Sequence, residues 1–279
     1  MKRSLTLSLL ALGLTAMAPS FALEALVTYD LFDGVDGDID PNLWGPTFGP
    51  VEQKRFINDA GQLELGQRVL AKGSTSTGTT SASYGLNFYA PAAVKEIGAT
   101  ITMIGAGADP CSANTDVGFS AARLAGSFFS NGTKTAGSQL NDVVAQVRLE
   151  RTADSTAAES VTNVVARVDQ CTSADCSTTT MLTRSVLGAA VAPNTPTRVF
   201  LRWEPSSKTF YFRRGNDAYV TYTYAFNDSV APSVPFKGLQ IRNKIENCAE
   251  VNARRGGWAA ATFDNVSVNA SADRTPTSP

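Results

Sequence analysis

The chain has 279 residues, with 24 lysines and arginines, 25 aspartates and glutamates and no histidine, which gives a formal net charge of -1. This balance is far from the basic excess that nucleic-acid binding needs. The absence of histidine excludes Ser-His-Asp and Cys-His nucleophile systems, a histidine general base and histidine-ligated metals. An enzyme with this sequence would have to use carboxylates, tyrosine, lysine or arginine.

The N-terminal stretch 1–22, "MKRSLTLSLLALGLTAMAPSFA", is typical of a secretory signal peptide. It begins with Lys2 and Arg3, continues as an apolar run and ends in small residues before a cleavage site after Ala22. The apolar run is too short for a membrane-spanning helix. We therefore expect a bacterial protein exported to the periplasm or the cell exterior. Its mature charge is about -3, from 22 basic and 25 acidic groups.

Period-2 alternation follows along the mature chain and indicates half-buried antiparallel strands. In "NDVVAQVRLERT" the apolar residues Val143, Ala145, Val147 and Leu149 alternate with a second, more polar set. The predicted strands cover 26–32, 62–70, 84–90, 97–104, 117–124, 143–150, 164–169, 180–187, 199–204, 209–214, 218–226, 237–243 and 258–268. The pattern predicts an all-β protein with no long helix. We expect one two-sheet antiparallel β-sandwich over 23–269 and a disordered tail over 270–279.

Four cysteines lie in loop-like stretches and fit an oxidising compartment. Cys171 and Cys176 flank a short turn and are sterically suited to pair, which leaves Cys111 to pair with Cys248. The chain-entropy model assigns about 2 kcal/mol to the short bridge and about 5 kcal/mol to the long one. A zinc site is the alternative, but the chain has neither histidine nor Cys-x-x-Cys spacing to support it.

Four segments together resemble the concanavalin A-like jelly-roll superfamily, which includes laminarinase-like and LamG-like domains. They are "YDLFDGVDGDIDPNLWG" at 29–45, "NDAGQLELG" at 58–66, "RVFLRWEPSSKTFYFRRG" at 198–215 and "ATFDNVSV" at 261–268. The resemblance implies a jelly-roll sandwich. That superfamily contains glycoside hydrolases, polysaccharide lyases and carbohydrate-binding modules, so the fold alone does not choose a function.

A hydrolase of the laminarinase type requires glutamates at a particular spacing. Laminarinase-type enzymes carry a Glu-x-Asp-x-x-Glu-like strand, because alternate carboxylates on one face supply the nucleophile and the acid. None of the glutamates of this chain begins Glu-x-Asp. Related lyases use a histidine, which the chain lacks. The sequence therefore favours a binding protein. A glycan-degrading enzyme with non-standard carboxylate chemistry is an alternative.

Jelly rolls hold sugars on one sheet face with aromatic platforms and polar side chains. Arginine suits bidentate contacts to carboxylate or sulfate, so we expect a polysaccharide or oligosaccharide partner, in particular an anionic one. Replacing Arg148 or Arg242 with Ala should then weaken binding to anionic glycans more than to neutral ones. The candidate ligand-binding residues are Arg148, Arg167, Arg202, Arg213, Gln240, Arg242 and Trp258, the last as an exposed platform in a loop.

Two other interpretations stay open for these residues. The arginines also fit a solvated sheet face on which they pair with Glu150, Asp169 and Glu204. The Ser/Thr/Gly-rich loops fit a structural or adhesive surface protein without a small ligand equally well. Trp44 and Trp203 are expected to be structural.

Asp264 places a carboxylate in the last predicted strand. An unpaired buried carboxylate is costly, so it should cap a turn, pair with an arginine such as Arg254, or bind a cation. In the family that the chain resembles, the matching aspartate ligates a structural calcium ion together with backbone carbonyls. The corresponding positions here are the Asp30-Leu31 stretch and Gly61. Calcium favours such mixed oxygen ligands, and a glycine allows close backbone approach.

Overall fold

The computed structural model describes residues 24–32, 39–40, 43–45, 53–249 and 255–272. These residues form fifteen strands and one short 3-10 helix, Ala270–Ala272. The strands are β1 (Leu26–Asp30), β2 (Trp44–Gly45), β3 (Gln53–Ile57), β4 (Leu63–Leu70), β5 (Thr79–Phe88), β6 (Glu96–Ala108), β7 (Phe119–Ser130), β8 (Asp142–Thr152), β9 (Asn163–Cys171), β10 (Thr179–Val186), β11 (Thr197–Glu204), β12 (Thr209–Arg214), β13 (Val220–Thr223), β14 (Lys237–Glu246) and β15 (Gly256–Asn269).

Two antiparallel sheets form a sandwich. The first sheet has the order β13-β12-β11-β6-β15-β4-β3, and β1 pairs with β15 beside this path. The second sheet has the order β10-β9-β8-β7-β14-β5-β2. The predicted all-β, two-sheet antiparallel fold is therefore confirmed. The predicted signal peptide, 1–22, and the 273–279 part of the predicted tail lie outside the described residues.

The alternation in β8 places its apolar side in the core, as predicted. Val143, Ala145, Val147 and Leu149 are at most 1% exposed. The other side of the same strand is also buried, and every residue of β7 is buried as well. The outward side chains of the middle strands are therefore buried rather than solvated. The arginine–carboxylate pairs that the solvated-face alternative predicted, with Glu150, Asp169 and Glu204, are present.

Two of the three tryptophans are structural, as predicted. Trp44 is 3% exposed and donates a hydrogen bond from Nε1 to Asp30 Oδ2 at 2.6 Å. Trp203 packs against the core and donates from Nε1 to Tyr224 Oη at 2.7 Å. Each indole thus buries its ring and satisfies its single donor.

The hairpin of β11 and β12 turns at Pro205–Lys208, as predicted, with a hydrogen bond of 3.1 Å from Lys208 N to Pro205 O. The observed strands differ from the predicted ones mainly in where they begin and end. β5 begins at Thr79 rather than at residue 84, and β14 continues to Glu246 rather than residue 243. The added β5 segment consists of Thr, Ser and Ala, which carry little of the apolar alternation that indicates a strand.

Both predicted disulfides are present and no described cysteine is free. Cys111 and Cys248 are joined across 137 residues of sequence, with Cα atoms 5.7 Å apart. Cys171 and Cys176 close the loop between β9 and β10, with Cα atoms 4.8 Å apart. Among the described residues, no helix has the length and apolarity that crossing a membrane requires.

Candidate functional site

A groove of about 650 Å³ lies on the outer face of the second sheet. Its floor is made by side chains from β10, β9, β8, β7, β14 and β5. Because neighbouring strands are spaced about 4.8 Å apart, six strands span roughly 24 Å. The groove is therefore an elongated, open cleft across the strands, which suits an extended ligand.

The floor is polar because the outward positions of three central strands carry long polar side chains. Arg123 on β7 lies opposite Gln240 on β14 and opposite Arg148 on β8. Between β8 and the next strand, β9, Gln146 lies opposite Arg167. Arg123, Arg148 and Gln240 are at most 8% exposed, since the groove walls and neighbouring side chains cover them.

Arg123 is held by neutral partners. It donates to Gln240 Oε1 from Nη2 at 2.7 Å and from Nε at 3.1 Å, and to Gln146 Oε1 from Nη1 at 2.9 Å. Nη2 also lies 3.2 Å from Ser83 Oγ. Among the described residues, no carboxylate lies within ion-pair distance of this guanidinium. A buried cation is thus hydrogen-bonded but not neutralised.

Arg242 and Lys244 extend this cationic region along β14. Arg242 donates to Ser83 Oγ at 2.9 Å and to Ser81 Oγ at 3.4 Å. Within the described part of the chain neither residue forms an ion pair. We call Arg123, Arg242, Lys244, Ser81 and Ser83 the cationic half of the groove.

The other half of the groove matches its cations with carboxylates. Arg167 makes a bidentate contact with Asp169, with distances of 2.5–2.8 Å. Arg148 forms an ion pair with Glu150, whose other oxygen accepts from Arg184 at 3.1 Å. We call this region, formed by β8, β9 and β10, the balanced half.

The electrostatics of the floor disfavour its positive charges. Burial, reinforced by the positive charges of Arg242 and Arg148, lowers the pKa of Arg123. Burial also lowers the pKa of Arg148 to about 10, against the favourable effect of Glu150. The pKa values of Arg242 and Lys244 are lowered mainly by burial too. A bound anion would offset this cost, because opposite charge favours the charged form of a group.

One wall of the groove is the loop 172–178, which the Cys171–Cys176 disulfide closes. Gln139 N donates to Ala174 O at 2.7 Å, which fixes the loop against the rest of the rim. The wall presents Ser177, Thr178 and Thr179 to the groove. Its acid, Asp175, accepts from Ser173 and Ser177, and these hydrogen bonds lower its pKa to about 2.

The opposite rim is built around the Cys111–Cys248 disulfide. Glu246 accepts from Cys111 N at 2.5 Å and from Gly118 N at 2.8 Å, so this carboxylate is used to fold the rim. Asn114 Nδ2 donates to Gly78 O at 2.9 Å and ties together two segments that line the groove end. Both disulfides thus stabilise the edges of one cleft.

Glu150 and Asp169, which bind the arginines of the balanced half, are badly placed as a pair for glycoside hydrolysis. Glu150 pairs in register with Asn163, and Asp169 with Val144, so six residues separate them along either strand. At about 3.3 Å per residue this is roughly 20 Å. The two carboxyls of a glycosidase lie about 5 to 9.5 Å apart. Each is also bound to an arginine, as a structural carboxylate would be.

Four of the predicted ligand-binding residues meet in this groove: Arg148, Arg167, Gln240 and Arg242. Arg202 and Arg213 do not, because β11 and β12 belong to the first sheet. Arg202 is paired with Glu204, and the guanidinium of Arg213 lies 4.2 Å from the Phe200 ring centroid. The prediction that all the arginines share one face is therefore wrong for these two.

Trp258 is also on the first sheet, within β15 rather than in a loop. It is 41% exposed, and the glycine positions 105 and 107 leave space for its indole, since a Cβ at Gly105 would lie 2.4 Å from the ring. Its predicted exposure is confirmed, whereas a shared site with the groove arginines is not. Its role as a platform stays a prediction.

Sequence reasoning missed Arg123, Gln146, Ser83 and Lys244. Arg123 stands in "FSAARLAGSFF", where small and apolar residues occupy both faces and hide the alternation. Ser83 lies in the part of β5 that was not predicted. The detectable signal was Lys244, which continues the outward row of Gln240 and Arg242 at a spacing of two.

The segments that would form the predicted calcium site lie close to Asp264. Asp30 pairs with Val266, and β4 begins at Leu63, opposite Phe263, so the predicted segments do converge there. Asp264 Oδ1 accepts from Asn265 N at 2.6 Å, at a β-bulge where Asn265 has φ 51°.

A cationic side chain already lies in this region. Asp264 acts on the pKa of Arg198, whose guanidinium donates to Asn265 O and to Ser267 Oγ. The alternative of turn capping thus has direct support. The nearby cation is Arg198, which bonds to Asn265 and Ser267, whereas Arg254 lies outside the described residues. The Asp30 carboxylate is used by Trp44 Nε1 and Phe32 N. The calcium site of Asp264 with backbone carbonyls from the Asp30-Leu31 stretch and Gly61 stays a prediction.

No protein-family model and no curated protein sequence matches this chain. Similar solved structures include a Bacillus licheniformis beta-glucanase, at 11% identity and a TM-score of 0.41, covering 86% of this chain and 96% of that one. A glycoside hydrolase family 16 endo-glucanase from Bacteroides ovatus has 12% identity, a TM-score of 0.42 and coverages of 85% and 97%. LamAcat from Zobellia galactanivorans has 13% identity and a TM-score of 0.41, and the match covers 86% of this chain and 97% of that one. These belong to the class that the sequence resemblance named. At such values the likeness carries no argument about function.

Proposed function

We propose that this protein is an exported carbohydrate-binding protein and that its groove binds an acidic polysaccharide. The observation that carries the proposal is the pair Arg123 and Arg242, a buried and a partly buried guanidinium that both donate to Ser83 Oγ and have no ion pair among the described residues. Burying a charge without a counter-charge is costly. A carboxylate or sulfate group bound beside them would supply that counter-charge and could accept from the N–H groups of Arg242 that the described hydrogen bonds leave unused.

The form of the site supports a polymer rather than a small ion. The cleft spans six strands and is open, and its rims present serine, threonine and glutamine side chains suited to sugar hydroxyls. Phe119 lies under the guanidinium of Arg148, 4.1 Å from the ring centroid, and completes a partly aromatic floor. The two disulfides support export, because such bonds persist in oxidising compartments.

Equilibrium titration with oligosaccharide panels tests the proposal. Uronate-containing or sulfated oligosaccharides should bind, and their affinity should fall as ionic strength rises, because salt screens the charges involved. Neutral glucan oligosaccharides of the same length should bind at least about tenfold more weakly. Reducing-end assays on the same mixtures test the enzyme alternative. We expect no chain cleavage by Glu150 and Asp169, since they are far apart and each is bound to an arginine. Binding of neutral glycans alone, or of no glycan, would overturn the proposal.

A further inference from the structure

The groove is electrostatically divided, and this division constrains the ligand beyond its being acidic. The cationic half has Arg123, Arg242 and Lys244, with Asp116 at the rim as the opposing charge that acts on Lys244. In the balanced half Arg167 and Arg148 are each bonded to a carboxylate. The two halves share one continuous floor, since β8 pairs with β7.

The cationic half also has a donor directed by its own hydrogen bonds. Ser83 Oγ accepts from Arg123 Nη2 and from Arg242 Nη1, so its lone pairs are occupied. A hydroxyl has one proton and two acceptor positions, so its proton is left to donate. Arg242, which uses two of its five N–H groups in the hydrogen bonds described, and this hydroxyl therefore supply donors, and the positive charge of Arg123 lies beside them. An anionic oxygen group requires such donors.

The balanced half of the groove disfavours the binding of a second anionic group of the ligand. Asp169 is 3% exposed, and both its oxygens are within 2.8 Å of the Arg167 guanidinium, so Arg167 has little charge left to offer. Asp175 on the wall adds a further negative charge, since hydrogen bonds keep it ionised. Around these acids the lining consists of amide and hydroxyl groups, of Gln146, Thr178 and Thr179. Such groups bind sugar hydroxyls and leave an anion without a counter-charge.

We infer that the groove recognises a glycan in which an acidic residue is followed by a neutral one, with the acidic group on Arg123, Arg242 and Ser83 and the neutral sugar over β8–β10. The inference rests on the proposed function and specifies its substrate class. A polymer with an acid on every residue places a negative charge beside Asp169 and Asp175. An alternating acidic and neutral polymer avoids this repulsion while keeping the contact to the cationic half.

Three probes of equal length distinguish the ligand classes. A hyaluronan oligosaccharide alternates a carboxylate with a neutral sugar, a κ-carrageenan oligosaccharide alternates a sulfate with a neutral sugar, and an oligogalacturonate has a carboxylate on every residue. Wild-type protein should bind at least one alternating probe about tenfold more tightly than the oligogalacturonate. The better of the two alternating probes identifies carboxylate or sulfate as the group on Arg123 and Arg242.

A gain-of-binding variant makes the test independent of folding. Asp169→Asn releases the charge of Arg167 and should raise oligogalacturonate affinity about tenfold, whereas damage to the fold can only lower it. Asp154→Asn, an exposed loop position outside the groove, makes the same change in net charge and should leave all affinities unaltered.

The outcomes separate this inference from the proposed function. Equal or tighter binding of oligogalacturonate by wild type, or an unchanged oligogalacturonate affinity in Asp169→Asn, would overturn the inference and leave acidic-glycan binding in place. Failure of all three acidic probes to bind would overturn the proposed function itself.

Discussion

Gln240 Oε1 accepts two hydrogen bonds from the Arg123 guanidinium, at 2.7 Å from Nη2 and 3.1 Å from Nε. A single oxygen accepts both N–H groups, and it belongs to a neutral amide rather than to a carboxylate. Arg123 is thereby fixed in position while its charge is left for another partner. This combination of a fixed geometry and an unneutralised charge is what separates a binding arginine from a structural one in this groove.

The variant Gln240→Glu should convert Arg123 into a structural arginine. It replaces the amide with a carboxylate of nearly the same shape, so Arg123 gains an intramolecular ion pair. Affinity for an acidic oligosaccharide should fall about tenfold, since the groove loses one unit of available charge. The melting temperature should stay the same or rise. Calorimetric titration and thermal unfolding of the same preparation measure both, and an unchanged affinity would show that Arg123 does not contact the ligand.

The two disulfides should separate into one that shapes the groove and one that stabilises the fold. Removing the short bridge with Cys171→Ser and Cys176→Ser should cost about 2 kcal/mol and weaken glycan binding, because the wall 172–178 loses its constraint. Removing the long bridge with Cys111→Ser and Cys248→Ser should cost about 5 kcal/mol. Denaturant unfolding and titration of each double variant test this. Full affinity without the short bridge would contradict its role in the wall.

Lys237 should make stability depend on pH near neutrality. It is 3% exposed, donates from Nζ to Pro91 O at 2.7 Å, and burial lowers its pKa from 10.5 to about 7. Between these values the unfolded chain binds more protons than the folded one, so stability rises with pH. From pH 6 to pH 9 the gain from this group should be roughly 3 kcal/mol.

The variant Lys237→Met serves as the comparison for this pH dependence. It removes the titrating group and keeps an unbranched apolar side chain next to Phe128, whose ring centroid lies 4.7 Å from Lys237 Nζ. Its unfolding free energy should change less between pH 6 and pH 9 than that of wild type. Parallel pH profiles for the two proteins would show that the lysine is not buried as described.

Calcium binding near Asp264 is tested by thermal unfolding with calcium and with chelator. An ion that binds only the folded state should stabilise it by about 2.7 kcal/mol at a hundredfold excess over its dissociation constant. Asp264→Asn should abolish this effect. If the wild-type midpoint is unchanged after metal removal, the hydrogen bond to Asn265 N and the nearby positive charge of Arg198 are sufficient reasons for an acid at this position.

The core and the β class follow from local alternation, whereas the groove does not. Val143 and Val147 could be assigned to the core because their spacing is a property of one strand. Whether Gln146 is solvated or buried depends on loops distant in sequence, such as 172–178, that cover its face. The second row of β8 therefore looked like a solvated surface from sequence alone.

The assignment of strands to the two sheets could not be predicted from the sequence either. Arg202 and Arg242 both occupy outward positions, but β11 and β14 belong to different sheets, and strand order is set by non-local pairing. Trp258 begins the predicted strand 258–268, and the two glycines before it favour a loop. In the structure Gly256 and Gly257 are within β15, which therefore starts two residues earlier. The cysteines were easier, since with four of them a short local pair leaves a single partner choice for the rest.

The most direct measurement is calorimetric titration of wild type, Arg242→Gln and the control Arg68→Gln with one acidic oligosaccharide and a neutral one of equal length. Arg68 is exposed on the first sheet, so its replacement makes the same change in net charge away from the groove. Arg242→Gln should lose about tenfold or more in affinity for the acidic ligand. Affinity for the neutral ligand should be unaffected, and Arg68→Gln should match wild type. Equal losses in the two variants, or no loss in Arg242→Gln, would contradict the assignment of this groove as an acidic-glycan site.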